Sequence, residues 1–554
     1  MPLIANTPVN RMDGPYARRW WALLVLCLSL LIVVMANTSL IVAAPDMTED
    51  LGLSSSDLQW VIDGYTVPYA ALMLVLGALG DKYSRRGALV TGLLVFGGGA
   101  VAGSLAHSAG AVIAARAVMG IGAAVVMPAT LSLLVATFPR AERARAITVW
   151  AATSGLAIAA GPLLAGWLLE DHAWNSTFLI NVPVAAVALV AALVLVPPSK
   201  AAGMGRLDLM GGLLSVVTVG SLVYVIIEGP HHGWGAPALT AAAVAATGLA
   251  AFIAWELRHP RPLLNLALFR NRAVTGAVLA VLLFFLGTFG TIYYTTQHLQ
   301  FVLGYGPLTT GVRLLPLGAA VFSGAALTGP LTTRLGTRYV VTAGMVLGTV
   351  AVFLLTRIDD ASAYTDFLPT LLLLGLAIGL STSPCTDTIM GAFPEADLGV
   401  GVGVGVGVGV GVGVGVGVGV GVGINDTAIE LGGSLGIAAL GSILATTYKD
   451  TLTTTLTGHL PPAALDTATD SIGGARAVAQ RIAHDPALGS QPAQTLTTAA
   501  DHVIAHTSLI GGIILAAGTI LVTLILPARR HTPPAQKPEP STPASTPAIT
   551  ASTR

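Results

Sequence analysis

Apolar runs long enough to cross a lipid bilayer recur along nearly the whole 554-residue chain. About 20 apolar residues span the hydrocarbon core as one helix. We count fourteen such runs, at 20–42, 57–79, 88–106, 111–136, 147–169, 176–196, 208–228, 237–257, 273–299, 308–331, 339–356, 366–390, 400–446 and 506–527. Only 10% of the residues are charged. Because helices satisfy their own backbone hydrogen bonds in lipid, the sequence predicts an all-α polytopic membrane protein with 14 spans.

Positive charges fall on alternate loops between these runs, from Arg18 and Arg19 before the first run to Arg529 and Arg530 after the last. The opposite loops hold almost no cations before Lys449. Cytoplasmic loops of membrane proteins carry the excess of Lys and Arg. We therefore expect a multi-pass protein of the cytoplasmic (inner) membrane with both termini in the cytoplasm.

The loop Gly77–Arg86 is repeated in outline 252 positions later. Its residues Gly77, Leu79, Lys82 and Arg86 are matched at identical spacing by Gly329, Leu331, Arg334 and Arg338. A short, basic, glycine-led loop that occurs twice is typical of a duplicated secondary transporter. Six runs precede Lys200 and six follow 257, so the repeat predicts two six-helix bundles with two inserted helices between them.

This division gives a cytoplasmic N-terminus at 1–19, an N-terminal bundle at 20–200, an inserted pair at 201–258, a C-terminal bundle at 259–527 and a tail at 528–554. The tail is rich in Pro, Ser and Thr and is expected to be disordered. Residues 448–505 form the largest loop of the outer side, and we expect a short helical hairpin in it.

An unbroken alternation of 13 Gly and 12 Val occupies residues 399–423. Period two is typical of a strand, yet the tract opens a membrane span, where a helix is required. As a helix it measures roughly 37 Å, so together with 424–446 it exceeds a bilayer. Either the tract is a repeat expansion or sequence error without function, or it is a gating element.

Several kinds of site are not expected. A formal net charge of zero argues against nucleic acid as a partner. Cys27 and Cys385 both lie inside apolar runs, so neither a disulfide framework nor a thiolate metal site is expected. The chain contains no Gly-x4-Gly-Lys-Ser/Thr loop, so ATP should not drive it. We expect no cofactor and no metal.

Several motifs together resemble the major facilitator superfamily, specifically its fourteen-helix drug/proton antiporters of the QacA and EmrB kind. They are the helix 2 start Leu58–Tyr65, the helix 2–3 loop Gly77–Arg86, the helix 4 motif Arg116–Gly122, the helix 5 motif Gly155–Gly166 with Gly161-Pro162, the stretch Trp174–Pro183 and the helix 13 motif Asn425–Gly433. The resemblance implies a gating role for Gly77, Asp81, Arg85, Arg86, Gly155, Gly161 and Pro162. It also implies a role in proton transfer for Arg116, and it places the helix 2–3 loop against the start of span 13.

Two positions depart from the family pattern. Ala36 stands where helix 1 of the family usually has an aspartate, and Ala157 and Ala165 replace glycines that flank Gly161-Pro162. The first departure removes one candidate proton or cation site. Antiport remains the expected direction.

Ionisable residues inside spans are rare and usually functional, because a charge at the bilayer centre is costly. Asp63 lies early in span 2, close to Tyr65, and is either a proton site or an interfacial acid near the outer surface. Asp426 and Glu430 share one helix face, and two desolvated neighbouring acids do not both stay ionised. They form a proton or cation site, unless one of them is paired structurally. Arg116 either takes part in proton transfer or pairs structurally with an acid.

Aromatic side chains recur along spans 2 and 9, namely Trp60, Tyr65, Phe284, Phe285, Phe289, Tyr293 and Tyr294. They form a stacking surface for a flat lipophilic cation or pack as ordinary core. Asp387, near the inner end of span 12, is a weaker candidate site. His298 is expected at the outer surface.

Taken together, the sequence predicts a proton-coupled exporter of amphipathic, cationic drugs and no enzyme. The expected partners are a lipophilic small molecule, protons and membrane lipid, and the protein is expected to be a monomer. One alternative is a dedicated exporter of one metabolite or antibiotic made by the same cell. Another is a polytopic membrane enzyme, although the 448–505 loop offers no convincing acid–base arrangement.

If the Gly-Val tract is a gating element, it should weaken locking of the outward-open state, because the helix 2–3 loop is expected to lean on that segment. Deleting about 20 residues of the tract should then change the accessibility of a periplasmic cysteine probe. Equal labelling of the deletion variant and the parent would refute this prediction.

Overall fold

The computed structural model describes residues 16–200, 208–232, 234–260, 262–264, 266–359, 362–391, 418–457, 460–470, 472–482 and 491–527. Fourteen long helices follow one another through these residues. They are α1 (Arg19–Leu51), α2 (Ser55–Tyr83), α3 (Arg85–Ser104), α4 (Ala109–Thr137), α5 (Arg140–Leu169), α6 (Asn181–Leu195), α7 (Leu209–His232), α8 (Ala236–Arg258), α9 (Arg272–Gln297), α10 (Pro307–Leu335), α11 (Thr337–Leu354), α12 (Tyr364–Gly391), α13 (Val418–Leu456) and α14 (Gln491–Ile525).

Thirteen of these helical regions are long and apolar enough to cross a membrane, and α5 adds a shorter apolar segment, Leu156–Leu169. Each of the fourteen predicted runs overlaps one helix. The predicted all-α polytopic fold is confirmed. The chain is a multi-pass membrane protein.

The turn between α1 and α2 shows how local sequence ends one span and begins the next. Gly52 adopts φ 62° after α1 and donates its backbone N–H to the Thr48 carbonyl, a left-handed cap that glycine accepts without strain. Ser54 then caps α2: its hydroxyl accepts from the Asp57 N–H, and the Asp57 carboxylate accepts from the Ser54 N–H at 3.1 Å. The two helices therefore reverse direction within three residues.

Helix packing shows the predicted duplication. In the N-terminal bundle, α1 packs on α5, and α4 packs on both α2 and α3; in the C-terminal bundle, α9 packs on α13, and α12 packs on both α10 and α11. The two bundles meet along two seams, α2 with α13 and α5 with α10. The duplication relates α2 to α10 and α5 to α13, so it turns each seam into the other. Two six-helix repeats require this relation.

Glycines let helices approach closely at equivalent places in the two bundles. A side chain at Gly120 of α4 would collide with the Tyr65 carbonyl of α2, and one at Gly379 of α12 with the Val321 carbonyl of α10. At Gly436 of α13 the obstacle is the Leu286 carbonyl of α9. Lipid supplies no hydrophobic drive between helices, so such close backbone packing is what stabilises their association.

The inserted pair docks on one seam. Helix α7 contacts both α2 and α13, and α8 packs on α7. The Glu228 carboxylate of α7 accepts from Trp60 Nε1 at 2.5 Å and from Ser56 Oγ at 3.0 Å, both on α2. On the α13 side, Ser442 Oγ lies 3.0 Å from the Ile226 carbonyl oxygen. The pair is therefore anchored to both bundles.

The helical hairpin expected within 448–505 is present as two short helices, Pro462–Asp470 and Ile472–Ile482, which pack on each other. Residues 1–15, the tract from 399 to 417 and the tail 528–554 lie outside the described residues. The last residues of the tract begin α13 at Val418.

Replacing Gly436 with Ala should destabilise the protein, because the added carbon meets Leu286 backbone atoms at 2.8 and 2.9 Å. We expect a loss of about 1–3 kcal/mol, seen as a lower midpoint of thermal unfolding in detergent. Gly98→Ala is the matched control, since nothing lies within 4 Å of the added carbon there. Equal midpoints for the two variants would contradict the packing argument.

Candidate functional site

Arg116 of α4 lies deep in the N-terminal bundle and is 1% exposed. Its Nε donates to the Val61 carbonyl of α2, and its Nη1 donates to the Ala36 carbonyl of α1, each at 3.1 Å. The guanidinium carbon lies 4.3 Å from the centre of the Tyr65 ring, a cation–π contact. One cation therefore ties three helices together.

Tyr65 and Ala36 complete this arrangement. The Tyr65 hydroxyl donates to the Val33 carbonyl of α1 at 2.8 Å, which fixes the ring beneath the guanidinium. Ala36, the position without the family's acid, contributes its backbone carbonyl to Arg116. A carbonyl dipole carries no net charge, so Arg116 remains available to neutralise more distant acids.

Asp63 of α2 is fully buried and points toward the other bundle. Its Oδ1 accepts from Thr66 Oγ1 at 2.8 Å, while its Oδ2 has no hydrogen-bond partner among the described residues. Ser434 of α13 and Tyr293 of α9 lie within interaction range of its carboxylate. Asp63 is thus an interior acid and not an interfacial one.

Asp426 and Glu430 lie on α13 and interact with each other. Asp426 is buried, and its Oδ1 accepts from Asn425 Nδ2 at 3.0 Å. Glu430 is half-buried and interacts electrostatically with Arg116, as does Asp63. All five predicted site residues therefore meet where α2 and α4 face α13.

Sequence reasoning missed Tyr69, which belongs to this site. Its ring lies 5.6 Å from the ring of Tyr65, which is one turn earlier in α2. Tyr69 also interacts with both Glu430 and Asp426. The spacing of four residues on a helix was the available signal, since residues i and i+4 share a face.

The predicted aromatic surface is divided between three environments. Phe284 and Phe285 pack edge-on at 6.0 Å inside the C-terminal bundle, and Phe289 packs on Phe285. Trp60 faces the inserted helix α7 instead. Of the aromatic side chains in this set, Tyr65 and Tyr293 border the acids.

Two other predicted positions lie elsewhere in the fold. The expectation that His298 lies at the outer surface is wrong: it is buried in a π-helical turn after α9, with its ring 4.9 Å from that of Phe367. A buried ring stacked on an aromatic is stabilised by packing. Asp387 is exposed near the end of α12, away from the buried acids.

The helix 2–3 loop is held by the end of the N-terminal bundle. Arg85 Nε donates to Asp81 Oδ1 at 2.5 Å, and both side chains are buried. The Arg85 N–H donates to the Ser199 carbonyl at 2.9 Å, and Arg86 Nη1 lies 3.4 Å from the Val196 carbonyl oxygen. Asp81 is in the last turn of α2; the start of span 13, on which the loop is expected to lean, falls outside the described residues.

Small residues also allow close helix contacts at the predicted gating positions of α2 and α5. A side chain at Gly77 would meet Pro128 of α4 at 2.9 Å. A side chain at Gly161 of α5 would collide with Thr38 of α1. The neighbouring Pro162 carbonyl closely approaches Gly311 of α10. The Gly161-Pro162 pair therefore sits where α5 touches both α1 and the other bundle, whereas the surroundings of Gly155 are not described.

Polar contacts between the bundles lie on the membrane face that carries the α1–α2 turn, here called the α1–α2 face. Gln300 Nε2 donates to the Val42 carbonyl at 2.9 Å, and Ser55 Oγ donates to the Asp470 carbonyl at 2.7 Å. Ser442 Oγ lies 3.1 Å from Gln59 Oε1. These contacts join the two bundles at this end of the helices.

Comparison with known proteins places the chain in a family. The sequence model of the Major Facilitator Superfamily matches residues 26–418. The chain belongs to this superfamily. Membership in the superfamily and the membrane-spanning helices together make it a multi-pass membrane transporter. No group of three or more His, Cys, Asp or Glu side chains in the described ranges is placed to hold a metal ion.

Relatives in the superfamily are named for drug efflux and resistance. The chain is 32% identical over 510 residues to the multidrug efflux pump LfrA of Mycolicibacterium smegmatis, covering 91% of this chain and 96% of LfrA. It is 31% identical over 450 residues to the tetracenomycin C resistance and export protein of Streptomyces glaucescens, covering 81% and 79% of the two chains. A crystal structure of a bacterial homologue of the human lysosomal transporter Spinster shares the fold, with a TM-score of 0.59 at 16% identity over 94% of this chain and 100% of that one.

Replacing Arg116 with Lys should lower stability, because an ammonium group is a compact point charge and cannot hold the Val61 and Ala36 carbonyls in the same fork. Losing one hydrogen bond from a charged group costs about 1.5–3 kcal/mol. Thermal unfolding in detergent measures the change. Arg145→Lys is the control, since Arg145 is exposed and stacks over Trp20 at 5.2 Å. If both variants unfold at the wild-type temperature, Arg116 does not tie these helices.

Proposed function

We propose that the protein exports amphipathic, cationic drugs across the cytoplasmic membrane in exchange for protons. The observation that carries the proposal is a charge imbalance between the bundles. Asp63 and Glu430 interact with the buried Arg116, and Asp426 neighbours Glu430, so that the described residues place three acids and one cation at this interface. The names of the relatives LfrA and the tetracenomycin C exporter support export as the direction.

The imbalance requires positive charge from outside the protein. With all three acids ionised, one guanidinium leaves two negative charges uncompensated, and burying unpaired charge is costly. Protons or a drug cation can supply the missing charge. Protons and the drug cation compete because both neutralise the same carboxylates. When the site opens to the two sides of the membrane in turn, this competition produces antiport.

Alternating access requires the site to open to each side in turn. We propose that the α1–α2 face is the outer face, which follows from the cationic loops at the opposite ends of the helices and puts both termini in the cytoplasm. The contacts of Gln300 with Val42, and of Ser442 with Gln59, then hold the outside closed. They must break when the site turns outward.

The monomeric state stays a prediction.

A dedicated exporter of one self-made compound is the second candidate. Ala36 favours it, because the site has one acid fewer than the family pattern and suits fewer cations. The similarity to the tetracenomycin C resistance and export protein supports it as well. Under this alternative the proton-exchange argument is unchanged, and only the breadth of substrates differs.

Proteoliposomes with an acidic lumen and a neutral exterior should accumulate ethidium through the wild-type protein. Asp63→Asn and Asp426→Asn should each lower this gradient-driven uptake about tenfold or more, the effect of at least 1.4 kcal/mol. Asp466→Asn is the control, because Asp466 is exposed on the outer hairpin. Wild-type uptake that ignores the gradient would contradict proton coupling. No uptake of any tested cation by the folded protein would favour the dedicated exporter.

A further inference from the structure

A chain of three side-chain and backbone contacts joins α12 to Asp426. Asn425, buried beside Asp426, donates from Nδ2 to Asp426 Oδ1 at 3.0 Å. Thr386 Oγ1 of α12 lies 2.9 Å from Asn425 Oδ1. The same hydroxyl lies 3.0 Å from the Thr382 carbonyl oxygen in the preceding turn of α12.

The number of hydrogens decides which contacts can be bonds at one time. A threonine hydroxyl has one hydrogen, so Thr386 donates either to Asn425 or to Thr382. An ionised carboxylate only accepts, so ionised Asp426 requires the NH2 group of Asn425 to face it. The Asn425 carbonyl then faces Thr386, and the Thr386 hydrogen points to Asn425.

Protonation of Asp426 permits the reverse arrangement. The new carboxylic O–H donates to the Asn425 carbonyl after the amide has turned over, and the Asn425 NH2 group then donates to Thr386 Oγ1. The Thr386 hydrogen is released to the Thr382 carbonyl. The Asp426–Asn425 and Asn425–Thr386 contacts are hydrogen bonds in both arrangements with donor and acceptor exchanged, whereas the bond from Thr386 to the Thr382 carbonyl forms only in the second.

We propose that Asn425 and Thr386 form a relay that couples the protonation of Asp426 on α13 to the packing of α12. The inference rests on the proposed exchange of protons at Asp426. Because coupling between two events is reciprocal, a movement of α12 away from α13 removes the partner of Asn425 and changes the proton affinity of Asp426. Proton binding and helix movement are thereby linked without a direct contact between Asp426 and α12. Asn425 and Thr386 are positioning residues for this site.

Other ionisable groups face Asp426 from its own helix and from α2. Glu430 interacts with it along α13, and Tyr69 interacts with it from α2. Arg116 of α4 acts on Glu430. Asp387, next to Thr386 on α12, is exposed. Among the described residues, Asn425 is the hydrogen-bond partner of the Asp426 carboxylate, and Asp426 Oδ2 has none.

The test is an infrared pH titration of the full-length protein in lipid, with asparagine labelled with carbon-13 in its side-chain amide. The Asp426 carboxyl band is assigned by its loss in Asp426→Asn, and the Asn425 amide band by its loss in Asn425→Ala. In wild type, the amide band should shift with the same midpoint as the carboxyl band. In Asp426→Asn the amide band should stay constant with pH.

Thr386 supplies the second comparison. Thr386→Val removes the hydroxyl at nearly constant volume and should abolish the coincident shift of the amide band, whereas Thr386→Ser should retain it. Thr388→Val is the matched control, because Thr388 donates within its own helix to the Pro384 carbonyl at 2.7 Å. It should behave as wild type.

A wild-type amide band that does not titrate with Asp426, or a Thr386→Val variant that titrates as wild type does, would overturn the relay. Drug uptake separates this result from the proposed function. Gradient-driven ethidium uptake together with a pH-independent amide band refutes the relay and leaves proton antiport standing. A titrating amide band in a protein that takes up no drug refutes drug antiport and leaves the relay standing.

Discussion

The bonds from the Arg116 guanidinium to the backbone carbonyls of Val61 and Ala36 are the interaction on which the site depends. They hold a permanent positive charge in the interior and bond it to the backbone of two helices, α2 and α1. Because these acceptors are neutral dipoles, no carboxylate is consumed in holding the cation. Asp63 and Glu430 can therefore respond to it while still gaining and losing protons.

Much of this fold follows from one-dimensional patterns. Apolar run length predicted the position of each long helix, because the bilayer imposes a minimum length on each span separately. The duplication was visible because Gly77 and Gly329 begin the same residue pattern, and they occupy equivalent positions near the ends of α2 and α10. Asp63, Arg116 and Glu430 were each singled out from the cost of charge in lipid, whereas their proximity to one another comes from the packing of α2, α4 and α13.

Other features depend on which helices meet, and a single sequence does not state that. The docking of Trp60 on Glu228 joins residues 168 positions apart, and either side chain alone reads as interfacial. His298 resembles a loop residue because it follows the apolar part of α9, and its burial depends on Phe367 of another helix. Tyr69 was not predicted, because its interactions with Glu430 and Asp426 depend on α13 lying opposite α2. In each example the sequence alone does not show which residue of another helix the side chain contacts.

The position of the inserted helices has a consequence for the shape that the carrier presents to lipid. The two bundles meet at two seams related by the internal duplication, one between α2 and α13 and the other between α5 and α10. Helix α7 contacts both helices of the first seam. The internal twofold relation therefore does not extend to the outer surface, since in the part of the chain that the structure describes the inserted pair packs on the first seam. A lipophilic molecule dissolved in the membrane therefore meets two different lateral surfaces, one formed partly by α7 and the other at the α5–α10 seam.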